Sequence, residues 1–181
     1  MHTETSLYTI TVPIMSKALT ALDKMLDKVS EQASKMATER RPAAYFETAL
    51  LQSRLVFDQF PLVQQIQVAC DNAKNGAARL AEVEPPKMDD NETTIAELKE
   101  RIAKTLAFLQ TIKPADIDGK EDIRVTLPYW AGKYLTGFEY ATEYLMPNFF
   151  FHYTTAYSIL RANGIQIGKS DYSGGLPLKD L

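Results

Sequence analysis

Residues 61–81 read PLVQQIQVACDNAKNGAARLA. At 3.6 residues per turn, Leu62, Ile66, Ala69, Cys70, Ala73, Ala77 and Leu80 share one face, which predicts an amphipathic helix over this span. Ala69, Cys70, Ala73 and Ala77 are small, so a neighbouring helix can approach closely and this face reads as central to a bundle. The helix-breaking run Glu84-Pro85-Pro86-Lys87 stops it.

Outward from this segment the same period recurs. Residues 13–37 carry Met15, Ala18, Leu19, Leu22, Met25, Leu26, Val29, Ala33 and Met36 on one face, with Pro13 suited to the first turn. Arg41-Pro42 breaks that helix, and Tyr45 to Leu51 predicts a short one. Thr94-Ile95-Ala96-Glu97 has the form of a capping box and opens a third long helix with Ile95, Leu98, Ile102, Leu106 and Leu109 inward. Glu97 with Arg101, and Glu100 with Lys104, read as exposed i,i+4 pairs on that helix. Lys113-Pro114 ends it. The period changes at Ile123-Arg124-Val125-Thr126-Leu127, whose alternation, followed by a turn from Pro128 to Gly132 and a return over Lys133 to Thr136, predicts a small β-hairpin. A fourth long helix over 138–162 places Leu145, Phe149, His152, Ala156, Ile159 and Leu160 on one face, with Pro147 kinking or dividing it and Asn163-Gly164 capping it. The tail, 165–181, reads as coil. The fold class expected is all-α: a single domain, 1–181, with its core over about 6–172.

Composition narrows the function. The 181 residues suffice for one core, burying roughly 70% of the surface of the unfolded chain. Net charge is −3, and the densest basic spot is the pair Arg40-Arg41, so nucleic acid is not an expected partner. No stretch approaches 18 uninterrupted apolar residues, and the first residues lack a basic stretch leading into an apolar run. Neither a membrane span nor a secretory signal is expected. A single cysteine, Cys70, excludes an internal disulfide and fits a reducing compartment, so the expected location is cytoplasmic.

Several motifs in order resemble a bacterial and fungal family of unknown function. They are Phe60-Pro61-Leu62, Gln65-Ile66-Gln67-Val68-Ala69-Cys70-Asp71 with Ala73-Lys74, Val83-Glu84-Pro85-Pro86, Thr93-Thr94-Ile95-Ala96-Glu97-Leu98, Arg101-Ile102, and Pro147-Asn148-Phe149-Phe150-Phe151-His152 running into Thr155-Ala156-Tyr157 and Ile159-Leu160-Arg161. The likeness spans about 6–172. The family looks like a branch of the DinB/YfiT-like superfamily, which implies a four-helix bundle in up-down-down-up order. Better-known members of that superfamily hold a divalent metal on three histidines, and some are thiol transferases. This chain has two histidines, His2 and His152, so a three-histidine site cannot form within one copy. No cofactor is predicted, and a divalent metal is unsupported.

His152 is the one interior histidine. It can serve as base, acid or ligand, or be a core residue with one hydrogen-bond partner. Asp71 can orient it or replace a missing ligand, or face solvent. Cys70 can supply a thiol only in an electropositive, partly exposed setting; on an apolar face it reads as a buried small residue. Tyr153 and Tyr157 belong to an aromatic-rich helix that needs cover on more than one side, by packing, a subunit contact or a ligand. Trp130, in the hairpin turn, can anchor a partner or pack back. The candidate pocket is His152, Asp71, Tyr153, Tyr157 and Cys70. The functional expectation is a small-molecule-binding or stress-related bundle protein that lacks the three-histidine metal site and homodimerises through helix faces. The alternatives are a degenerate metal- or thiol-dependent transferase or hydrolase using His152, and a purely structural homodimerising module.

Overall fold

The computed structural model describes residues 5–179 and is mostly helical, with one small two-stranded sheet. Its elements are α1 (Val12–Met36), α2 (Ala43–Leu51), α3 (Leu62–Ala81), α4 (Ile95–Thr111), α5 (Pro114–Ile117), β1 (Arg124–Val125), β2 (Leu135–Thr136), α6 (Gly137–Glu139), α7 (Met146–Ala162) and α8 (Lys169–Ser173). Among the described residues no helix is long and apolar enough to cross a membrane.

The inner faces are those the periodicity marks. Leu62, Ile66, Ala69, Cys70, Ala73, Ala77 and Leu80 of α3 are all fully buried. The central helix α3 packs against α7 and α4, while α1 packs against α4, α2 and α8. Met36 departs from the pattern: it ends α1 and is 49% exposed.

The capping box at α4 forms as read. Glu97 N–H donates to Thr94 Oγ1 at 3.2 Å, and Thr94 N–H donates to Glu97 Oε2 at 3.0 Å. Thr93 N–H also reaches Glu97 Oε2, at 2.7 Å. Thr94→Ala should cost about 1 kcal/mol of stability, read as a lowered urea midpoint at unchanged slope. Glu97 is therefore turned back to the helix start, away from Arg101. The surface pair expected between them is absent, and Arg101 is a buried residue.

The hairpin is shorter than its sequence signal. Arg124 pairs with Thr136 and Val125 with Leu135, antiparallel, and a 3₁₀ turn at Pro128–Trp130 joins the strands. From Gly137 the chain is helical to Ala162, but residues Tyr140–Leu145 widen into a π-helix, with Met146 N–H donating to Ala141 O. Pro147 sits in the first turn beyond it. A proline ring clashes with the carbonyl four residues back in a regular helix, and the wider turn relieves that clash. The division expected at Pro147 thus lies one turn upstream. It lets Tyr140, Ala141 and Leu145 all face the core.

The tail is not wholly coil. Residues Lys169–Ser173 form α8, tied to α1 by Lys28 Nζ and Asp171 Oδ1 at 2.7 Å.

Candidate functional site

His152 is 8% exposed, and its Nδ1 lies 2.7 Å from Gln65 Oε1 of α3. Gln65 is itself buried, and its Nε2 donates to Phe60 O at 3.1 Å. A carbonyl can only accept, so the amide must present its oxygen to the ring. His152 therefore carries its proton on Nδ1 and keeps a lone pair on Nε2. Burial pushes its pKa below the ordinary 6.5. The neutral form is the one folded around, so this contribution to stability is complete above pH 6.5. It is lost as pH falls below that value toward the lower folded pKa. Phe60 stacks on the ring at 6.5 Å and Phe151 meets it edge-on at 5.1 Å. Both phenyl rings are about half exposed. Gln65 is the residue sequence reasoning missed here. Its spacing from Leu62 and Ala69 places it on the inner face of α3, which was signal enough.

Asp71 does not orient His152. It accepts from Arg101 Nη2 at 2.7 Å and pairs with Lys74 Nζ at 3.2 Å. Arg101 Nη1 reaches Glu92 Oε1 at 2.9 Å and Asp90 Oδ1 at 2.8 Å, and Gln67 Nε2 donates to Glu92 Oε2 at 2.8 Å. Burial works to raise the Glu92 pKa, but the hydrogen bonds from Arg101 and Gln67 hold it below the usual carboxylate value. Burial likewise opposes the Arg101 charge, and Glu92 and Asp71 more than restore it. Arg101 stands on the α4 face with Leu98, Ile102 and Thr105, so its inward position was readable from spacing.

Cys70 is fully buried, and burial pushes its thiol up to about 12. It is protonated at neutral pH and has no nucleophilic character. Tyr153 and Tyr157 turn to Tyr172 instead of Gln65. The Tyr153 hydroxyl donates to Tyr172 O, and the Tyr172 ring packs on Tyr153 at 4.6 Å and on Tyr157 at 5.3 Å. The C-terminal segment is thus the cover that the aromatic helix needed. Trp130 packs back, meeting Tyr144 at 5.2 Å and Tyr140 at 6.4 Å. The candidate pocket residues therefore fall into three places: His152, the Asp71–Cys70 region, and the Tyr153–Tyr157 face.

A groove of about 560 Å³ lies beside Asp71 and Phe60. It is lined by Gln59, Phe60, Gln64, Gln67, Asp71 and Glu92 among others, so Phe60 walls it off from His152 and Asp71 connects it to Arg101. Gln59 Oε1 is buried there without a hydrogen-bond partner.

Residues 7–173 match the model of a family described as a domain of unknown function, DUF1993. The chain belongs to the DUF1993 family. A crystal structure described as a DinB family member protein from Shewanella denitrificans, at 1.83 Å resolution, is similar to this DUF1993 chain. The two share 45% sequence identity at a TM-score of 0.88, over 97% of this chain and 96% of that one. No protein of curated function matches it. The three-histidine metal site of better-known DinB-like proteins does not fit this DUF1993 chain. The chain has two histidines, and no group of three His, Cys, Asp or Glu is placed to hold a metal ion among the described residues. His2 lies outside those residues.

Proposed function

We propose that this chain is a DinB-like four-helix bundle that binds a small polar molecule in the groove between Phe60 and the Arg101 cluster. Four contacts support the up-down-down-up order. Gln32, late in α1, reaches Gly164 just beyond α7, so α1 and α7 run together. Gln65 meets His152 and Asn72 meets Asn148, so α3 runs against α7. Lys120, just past α5, reaches Ala81 at the end of α3, which sets α4 alongside α3 in direction.

The side-chain acceptors gathered on the groove wall carry the binding reading, with Gln59 among the residues that line it. Gln64, Gln67, Asp71 and Glu92 add acceptors along the same wall. The ligand class is therefore a small molecule rich in hydrogen-bond donors. His152 acts from behind, as a neutral ring supporting Phe60.

A thermal-shift screen of polyols, amines and nucleosides tests this. A ligand at 100 times its Kd should raise the midpoint by roughly 5–10 °C for a chain of this length. The shift should vanish in Gln59→Leu and Asp71→Asn, and shrink in His152→Phe. A ligand whose shift survives all three substitutions would place binding elsewhere and sink the proposal. Homodimerisation is a second reading, favoured by Phe57, which is 91% exposed on the α2–α3 connection beside half-exposed Val56 and Phe60. Phe57→Ser should lower the mass measured by light scattering if that ring lies between copies.

A further inference from the structure

A second concavity, separate from the groove, opens between the C-terminal half of α1, α2 and the segment after α7. Its volume is about 180 Å³. Val29, Ala33, Met36, Phe46, Leu50 and Ile165 form its walls. A dry apolar cavity of roughly 150 Å³ takes a benzene-sized guest, so this cleft is sized for one ring or a short chain. Met36, exposed at the end of α1, lines it rather than the core.

Most polar groups on its rim are spoken for within the chain. Gln32 Nε2 donates to Gly164 O, and Gln32 Oε1 accepts from Gln166 N–H. Ser53 Oγ donates to Ala49 O, and Asn163 Nδ2 donates to Ile159 O. Glu47 is different. Its carboxylate accepts one hydrogen bond, from Ser30 Oγ at 2.8 Å, and it pairs with no cation among the described residues. The nearby ammonium of Lys99 is committed to Asp23 and Asp27, at 3.0 and 2.6 Å.

We propose that this cleft binds a small hydrophobic amine, its hydrocarbon ring or chain between α1 and α2 and its ammonium paired with Glu47. The apolar walls supply the burial, and the half-buried carboxylate supplies the charge selection. A neutral analogue gains only the burial. An anionic analogue brings a like charge to Glu47.

The test titrates the full chain with 2-phenylethylamine, 2-phenylethanol and 3-phenylpropanoate, read by the methyl NMR signals of Met36 and Ile165. The amine should shift both signals and bind at least tenfold more tightly than the alcohol, with no binding of the carboxylate. Glu47→Gln should reduce the amine to the affinity of the alcohol. Ala49→Phe, at an exposed position on the cleft wall, should abolish binding of both while leaving the fold intact. Asp71→Asn, in the groove, should change nothing here. Equal affinity for amine and alcohol overturns the proposal. So does amine binding that survives Glu47→Gln or Ala49→Phe, or the absence of any shift at Met36 and Ile165.

Discussion

Arg101→Leu should destabilise the fold by about 3–5 kcal/mol, because it leaves the buried Glu92 carboxylate without its cation. The side chain of Arg101 is 1% exposed and meets Glu92, 10% exposed, and Asp71, 31% exposed. Asp90 is 58% exposed and adds little, since water already screens it. Arg101→Lys should recover only part of the loss, because one ammonium cannot span partners held by two guanidinium nitrogens. The pH dependence gives a second readout. Glu92 titrates below its ordinary 4.5 in the folded chain, so its contribution is complete above that value and is lost as pH falls through the lower folded pKa. Arg101→Leu removes the main attraction, and the acid slope of stability should flatten. Urea midpoints measured from neutral pH down to pH 3 decide the matter. A loss under about 1 kcal/mol, with the slope unchanged, would mean the cluster is a surface network and not a buried one.

Gly76→Val should be the other severe substitution. A Cβ built at Gly76 would lie 2.2 Å from Leu145 Cδ1, 2.7 Å from Cδ2 and 3.0 Å from Cγ. Leu145 is 1% exposed and sits at the end of the π-helix, so it has no open space to swing into. Gly76→Ala gains about 1 kcal/mol of helix propensity and loses about 1–3 kcal/mol to overpacking, a modest net loss. Valine adds two methyl groups to the same gap and a stiff χ1, and its cost should exceed 3 kcal/mol. Pairing either change with Leu145→Ala should return more than half the loss in a double-mutant cycle. Simple additivity of the two would show that the close approach of α3 and the π-helix is not made at this point.

The helices and their inner faces were legible because apolar spacing reports burial directly. The positions that misled were those where a polar residue sits on an inner face. Glu97-to-Arg101 has the spacing of a surface pair, yet Arg101 also stands three residues after Leu98 and four before Thr105, on the buried side. Local spacing favours the first reading, and only the Asp90–Glu92 loop, brought back over α4, reveals the second. His152 was legible as an interior residue, but its partner depends on the pairing of α3 with α7, which spacing within one helix does not encode. Asp71 was singled out for the wrong neighbour for the same reason. The π-helix left a trace in Pro147, though not its position. α8 left almost none, since five residues are too few to show a period.

That short final helix sets a timetable for folding. Tyr172 covers Tyr153 of α7, and Asp171 holds Lys28 of α1, so an element that follows α7 closes the seam on both helices. During synthesis, α1 through α7 emerge with that seam still open, and the Tyr153 face stays uncovered until Tyr172 follows. A chain that stops before Lys169 would remain in that state permanently. A fusion partner is best joined after Gly175, where the seam has already closed.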